Sequence, residues 1–308
     1  MKVVLVSGAS GFLGRHAVRA LLDRGYCVHA ISRRPPASEG CVWHEGDLFD
    51  GEWVQGILDR ARPRHLLHLA WETTHGQYWT SPENLRWVEA TLRLCRQFVE
   101  GGGRRIVGAG TCAEYAWDDA VLGESPIEEG KVPRAPAQLY GVAKDATFGL
   151  LKAYCNAVGV GFAWGRLFFP YGPEERRPTL IPSIIQALRE GRAALCTHGR
   201  QQRDFIHVRD AGAAFAALLE SQVSGAVNIA SGTATSIGDV ANRLGALLGR
   251  PELIRLGALE ARANEPACLV ADIRRLRTEV GFVPKIGLDE GLRETVEWWI
   301  QQSARARP

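Results

Sequence analysis

The sequence predicts an α/β fold: a doubly wound parallel sheet followed by a smaller, mixed α/β C-terminal region. Three observations carry that prediction. The first half alternates short apolar, Val-rich runs with longer helical patterns. A glycine-rich turn falls directly between the first such run and the first helix. The 308 residues, 46% hydrophobic and 23% charged, are enough for a large core plus an appended region.

Taken in order, Val3–Val6 reads as a strand, and Gly11–Arg24 as a helix closed by Gly25. Val28–Ile31 and Val42–His44 are the next strands, Glu52–Arg60 a helix, and His65–Ala70 a strand. Ser81-Pro82-Glu83 opens a helix: a capping hydroxyl, a proline at the first helical position, and an acid in the first turn. Gly101–Gly103 stops it. Arg105–Ala109 is a buried strand, and Ala137–Val158 a helix ended by Gly159. Strands and helices alternating at this spacing specify parallel strands with helical crossovers. Beyond the Pro- and Gly-rich stretch Phe169–Pro178 the elements shorten. Helices are expected at Ile181–Glu190, Asp210–Leu219, Ile237–Leu248 and Glu290–Ile300, with strands at Ala194–Cys196 and Ala226–Ile229. The expected domains are 1–165, 166–300 and a frayed tail, 301–308.

The net charge of +3 is too small to argue for a nucleic-acid partner or an acidic membrane surface. Seven cysteines, an odd number without a C-x-x-C pair, lie mostly in apolar runs, as free thiols of a reducing compartment do. The opening MKVVLVSG is too short for a secretory core or a membrane span. The expectation is a cytoplasmic, metal-free protein.

Gly8-Ala-Ser10-Gly11-Phe12-Leu13-Gly14 sits between a strand and a helix. There, three glycines give a tight turn, close approach of backbone to a pyrophosphate, and a helix N-terminus aimed at it. This makes the first domain Rossmann-type and its ligand a dinucleotide. An acid near the end of the second strand usually holds the adenosine ribose. Here Ser32 stands in that place and Arg33 follows, a pairing suited to a 2′-phosphate. NADP(H) is therefore preferred, with NAD(H) possible; as ordinary loop arginines, Arg33 and Arg34 would simply be solvated. Asp47, with Leu48 beside it, could accept from the adenine amine or merely shape a turn.

Tyr140 and Lys144 lie four apart on a helix, hence on one face. An ammonium beside a phenol lowers its pKa and makes it a usable acid/base near neutrality. Thr111 ends the preceding strand, at the edge where open α/β sheets bind ligands.

The glycine turn, Thr111, Tyr140 and Lys144, in this order and spacing, resemble the extended short-chain dehydrogenase/reductases, among them nucleotide-sugar epimerases, dehydratases and 4-ketoreductases. Arg166-Leu-Phe-Phe-Pro-Tyr171-Gly172-Pro173, Arg203-Asp204-Phe205-Ile206-His207-Val208-Arg209-Asp210 and Val227-Asn228-Ile229-Ala230-Ser231-Gly232 are similar to later stretches of that family. The resemblance implies Tyr140 as general acid/base, Lys144 as holder of the nicotinamide ribose, and Thr111 as orienter of the reacting sugar oxygen. It also implies that Leu69 and Ala70 pass beside the cofactor, and that Arg203 and Arg262 meet a nucleotide diphosphate. Cys112 borders Thr111 in the substrate site. A homodimer through the helices at 82–100 and 137–158 is implied as well.

Departures narrow the chemistry. Cys112-Ala113 stand where the dehydratases carry Asp-Glu, Phe169 replaces a common Asn, and Trp87 replaces another. Ser32-Arg33 tips the reading to an NADPH-dependent reductase of a nucleotide-linked keto sugar, with C4 of a 4-keto-6-deoxyhexose expected. The alternative is an NAD-dependent nucleotide-sugar epimerase with the same Thr, Tyr and Lys. A non-catalytic cofactor-binding sensor, or a reductase of substrates without a nucleotide, is more remote.

Overall fold

The computed structural model describes residues 2–36, 40–123, 125–175, 178–261 and 265–305. In chain order the first half contains β1 (Lys2–Ser7), α1 (Phe12–Asp23), β2 (Tyr26–Ser32), β3 (Cys41–Glu45), α2 (Gly51–Ala61), β4 (His65–His68), α3 (Glu83–Glu100), β5 (Arg105–Thr111), α4 (Asp119–Leu122) and α5 (Leu139–Ala157). The second half contains β6 (Gly161–Leu167), β7 (Phe169–Tyr171), α6 (Leu180–Arg189), β8 (Ala194–Leu195), β9 (Gln202–His207), α7 (Val208–Glu220), β10 (Gly225–Ile229), β11 (Ala234–Ser236), α8 (Ile237–Leu247), β12 (Ile254–Arg255), β13 (Cys268–Leu269), α9 (Arg274–Thr278) and α10 (Leu288–Arg305).

Seven strands form one parallel sheet in the order β10-β6-β5-β4-β1-β2-β3. The order runs outward in both directions from the β1–β4 pair, so the sheet has its topological switch between those strands. Buried apolar side chains line both faces. Val4, Val6, Val107 and Ala163 belong to one core with α1 and α7, and Leu5, Leu66, Ile106 and Phe162 to the other with α2, α3 and α5. This is why the strands read as near-continuous apolar runs.

The sequence did not mark β6 or β9 as strands. β6 carries Trp164 and Arg166, a bulky aromatic and a buried cation, among small residues; β9 carries Arg203 and Asp204, whose charges hide a buried strand. β10 returns to pair with β6, and Gly212 of α7 lets that helix press against α1, where a Cβ would lie 2.6 Å from the Ala17 nitrogen. The seven-stranded sheet therefore runs across residue 165, which lies inside β6. The tail, expected to fray from 301, continues α10 to Arg305; residues 306–308 lie outside the described ones.

Of the remaining strands, β11-β9-β13 with β7 beside β9 make a small second sheet, packed near a third core around Ile184, Leu188, Val240 and Leu292, and β8 pairs separately with β12. Asp204 of β9 binds it to the main sheet. Its two oxygens accept from the Ser231 nitrogen and hydroxyl, the Gly232 nitrogen and the Ala271 nitrogen. Asn228 of β10 accepts from the Tyr115 hydroxyl and donates to the Ile127 and Asp272 carbonyls. Residues of the motif stretches Arg203–Asp210 and Val227–Gly232 thus meet one another as structural ties.

Candidate active site

The dinucleotide turn is built as its glycines require. Gly8 sits at φ +71°, and any Cβ there would fall 2.7 Å from the Ala70 nitrogen. A Cβ on Gly14 would fall 2.0 Å from the Gly8 carbonyl oxygen. Gly11 caps α1 without a side-chain hydrogen bond, so the N–H groups of the first turn have no competing side-chain acceptor there. Leu69 and Ala70 follow β4 and lie against Ser7 and Gly8, with the Leu69 nitrogen on the Ser7 carbonyl at 3.1 Å. β4 itself ends at His68, two residues before the expected end. Phe12 and Leu13 are half-buried in the first turn of α1. The turn, the bare helix end and the Leu69–Ala70 wall fit a dinucleotide pyrophosphate.

At the adenosine end, Ser32 is buried and its hydroxyl shares a hydrogen bond with that of Ser10, 2.7 Å away; it also accepts from the Arg34 nitrogen at 3.1 Å. Arg33 is exposed beside it. Asp47 accepts from the Phe49 nitrogen at 3.0 Å, shaping its own turn, and Leu48 is buried under it.

Thr111 ends β5 and caps the short turn that follows. Its hydroxyl accepts from the Ala113 nitrogen at 3.2 Å, while Glu114 reaches back to the Thr111 nitrogen at 2.9 Å. Glu114 is fully buried and accepts as well from Trp164 Nε1 (2.8 Å) and Arg166 Nε (2.7 Å). It is a keystone that holds the backbone of Thr111, not a solvent-facing acid. The T-x-x-E spacing of a capping box was the signal for it in the sequence.

The structure brings Thr111, Tyr140 and Lys144 to one end of the sheet: Tyr140 and Lys144 share α5, and Lys144 donates to the Ala109 carbonyl of β5, two residues before Thr111. Tyr140 lies in the first turn of α5, and its nitrogen donates to the Trp79 carbonyl at 3.1 Å. Tyr78 meets its ring edge-on at 4.8 Å and Trp79 at 5.7 Å. Burial, with Tyr78 and Glu114 acting the same way, pushes the phenol above the ordinary tyrosine range; the neighbouring Thr111 hydroxyl acts the other way. The sequence had suggested a lowered phenol. The difference lies first in the burial of the phenol itself; Lys144 is buried too, donates to the Ala109 carbonyl at 2.7 Å, and rests 3.9 Å from the centre of the Trp71 ring. Burial brings that ammonium down to about 7, against the pull of Glu114.

On the substrate side, Cys112 is buried next to Thr111, and burial pushes its thiol up to about 12 while the Arg203 charge acts in the opposite direction. Arg203 lies on β9, 5.7 Å from the centre of the Phe169 ring. Its guanidinium is engaged by the protein: it donates to the Gln202 and Pro266 carbonyls at 2.8 and 2.9 Å and pairs with Glu265 at 2.8 Å. Arg262 lies outside the described residues. Among those residues, no group of three or more His, Cys, Asp or Glu could hold a metal ion, and no helix is long and apolar enough to cross a membrane.

The geometry agrees with what comparison shows. The profile of the NAD dependent epimerase/dehydratase family matches residues 4–230. The chain is 28% identical to a UDP-glucose 4-epimerase of Rhizobium meliloti, over 92% of this chain and 93% of that one. It is 28% identical to a dTDP-L-rhamnose 4-epimerase of Burkholderia thailandensis, over 99% and 96%. Among solved structures, MoeE5 in complex with UDP-glucuronic acid and NAD superposes with a TM-score of 0.84 at 32% identity, covering 97% of this chain and 99% of that one. With its parallel Rossmann-type sheet, glycine turn and Thr–Tyr–Lys set, the chain belongs to the NAD-dependent epimerase/dehydratase family of extended short-chain dehydrogenase/reductases.

Proposed function

We propose that the protein is an NAD-dependent epimerase acting at C4 of a nucleotide-linked hexose. The observation that carries this reading is the placing of Thr111 at the carboxyl end of β5 against the helix that carries Tyr140 and Lys144, beside a glycine turn shaped for a dinucleotide. The relatives support the reaction, two being named as 4-epimerases, and MoeE5 was solved with NAD and a UDP-sugar. Bound NAD supplies a reversible hydride acceptor; the remaining tasks fall to the chain. Thr111 would orient the reacting hydroxyl. Tyr140 would take its proton as the carbonyl forms and return it after the sugar presents its other face. Lys144 would hold the nicotinamide ribose, and Arg203 the diphosphate side of the substrate. Cys112-Ala113 offer no carboxyl for removing water, which argues against a dehydratase.

A second reading, the NADPH-dependent reduction of a 4-keto sugar, is favoured by one observation: the end of β2 offers buried Ser32 and exposed Arg33 instead of a carboxylate. The two separate by stoichiometry. UDP- and dTDP-hexoses incubated with catalytic NAD should be converted to their C4 epimers by proton NMR, with no net change in NADH absorbance. Steady oxidation of NADPH with a 4-keto-6-deoxyhexose nucleotide and no epimer formed would establish the reductase. Tyr140→Phe should lose turnover about 100-fold or more and keep cofactor binding; near-full activity would sink both readings. A homodimer across α3 and α5 is proposed as well, since their outward faces carry the exposed Leu85, Val142 and Leu150.

A further inference from the structure

We propose that Asn84 is a positioning residue that sets Lys144 and Tyr140 together, by tying both ends of the loop from Trp71 to Ser81 to the start of α3. The proposal rests on the reading of those two side chains given above.

Asn84 is fully buried in the first turn of α3. Its Oδ1 accepts from Trp71 Nε1 at 2.9 Å, and its Nδ2 donates to the Tyr78 carbonyl at 2.7 Å and to the Ser81 carbonyl at 2.9 Å. An indole nitrogen can only donate and a carbonyl can only accept, so this network admits one orientation of the carboxamide. Each end of the tied loop then reaches one member of the site. The Trp71 ring is the surface on which the Lys144 ammonium rests, 3.9 Å from its centre, and Trp87 backs that ring at 6.1 Å. Tyr78 packs edge-on against Tyr140, and the next carbonyl, Trp79, receives the Tyr140 nitrogen. α5 has no side-chain cap, so this contact from the loop is what meets one of its first free N–H groups. One buried carboxamide therefore fixes the indole beneath the lysine and the aromatic cover over the tyrosine. Within the loop, the bonds from the Gln77, Tyr78 and Thr80 nitrogens close local turns, and the Asn84 carboxamide adds ties from both ends of the loop to α3.

The chain has five lysines, so selective labelling tests this without any substrate. In full-length protein carrying 13C-lysine, with and without added NAD, the Lys144 Hε resonance should lie upfield of the other four because of the Trp71 ring current; Lys144→Met assigns it. Asn84→Ala should remove most of that displacement and leave the other four signals in place. In the same variant kcat for the epimerase reaction should fall about tenfold with KM within twofold. Trp71→Phe keeps a ring but loses the N–H, and should move the Lys144 signal in the same direction. Adding Asn84→Ala to it should move that signal no further. A variant that melts lower while Lys144 stays unmoved would show a merely structural residue and overturn the proposal. Should Asn84→Ala fail to fold, an unmoved Lys144 signal in Trp71→Phe would overturn it equally. The resonance reads the positioning alone, so failure of the epimerase reading would show separately, as an absence of turnover in the parent protein.

Discussion

Replacing Glu114 by glutamine tests whether one buried carboxylate holds the catalytic end of β5. Glu114 accepts three hydrogen bonds, from the Thr111 nitrogen, Trp164 Nε1 and Arg166 Nε, with both partners of its ion pair shielded from water. Glutamine has the same shape, and its Oε1 can still serve Thr111 and Trp164. Its Nε2 then confronts the Arg166 N–H, donor against donor, and a buried guanidinium loses its counter-charge. Breaking a buried pair from one side costs about 3–5 kcal/mol. At about 2.1 cal/mol/K per residue, 308 residues give an unfolding entropy near 0.65 kcal/mol/K, so the variant should melt roughly 5–8 °C lower. Scanning calorimetry of the full chain measures this. Glu114→Gln combined with Arg166→Met removes the stranded charge and leaves one orphaned donor, worth about 1–3 kcal/mol, so it should melt between the parent and the single variant. A single variant that melts with the parent, or a double variant that melts lower by the sum of both losses, would refute this account of Glu114.

Three further outcomes follow from the geometry. Gly14→Ala places a methyl against the Gly8 carbonyl, with no flexible side chain to give way, so NADH affinity by fluorescence titration should fall at least about tenfold. Ser32→Asp supplies the missing carboxylate at the end of β2 and should shift the NAD(H):NADP(H) affinity ratio about tenfold toward NAD(H); an unchanged ratio would mean that the adenosine lies elsewhere. His16 and His207 are each held at about 4, chiefly by burial and then by neighbouring positive charge, against 6.5 in the unfolded chain. The unfolded chain therefore binds more protons between those values. Their contribution is complete above pH 6.5 and is lost as pH falls toward 4, about 2–3 kcal/mol for the pair after allowance for partial exposure. Urea midpoints at pH 7 and pH 5 should differ less in a His16→Gln/His207→Asn variant than in the parent.

Much of the nucleotide half was legible in the sequence because its signals are local. The glycine turn, the Ser81 start of α3, where the Glu83 nitrogen meets the Ser81 hydroxyl at 3.2 Å, and the Tyr140–Lys144 spacing each act within a few residues. What escaped depends on long-range partners. β6 and β9 look too polar for buried strands until Arg166 meets Glu114 and Asp204 meets Ser231 and Gly232. Arg203 reads as a free cation, yet Glu265, 62 residues on, already engages it. Asn84 looks like an ordinary first-turn residue, and nothing in its neighbours shows that Trp71 and Tyr78 converge on it. The preference for NADP was drawn from two adjacent residues. The solved relative with 32% identity holds NAD, and Ser32 turns inward to Ser10, which leaves Arg33 alone to argue for the phosphate.

The place of β10 in the sheet has a consequence for how the chain is made. As the polypeptide emerges, β6 is complete at residue 167, but the strand that covers its outer edge ends at residue 229. The face of α1 that receives α7 waits until that helix is complete at residue 220. Until then the nascent chain carries an unpaired strand edge and an uncovered apolar helix face, the two surfaces on which unfinished proteins aggregate. The two regions are thus not successive folding units: the ribosome must deliver more than 60 further residues before the nucleotide-binding sheet can close.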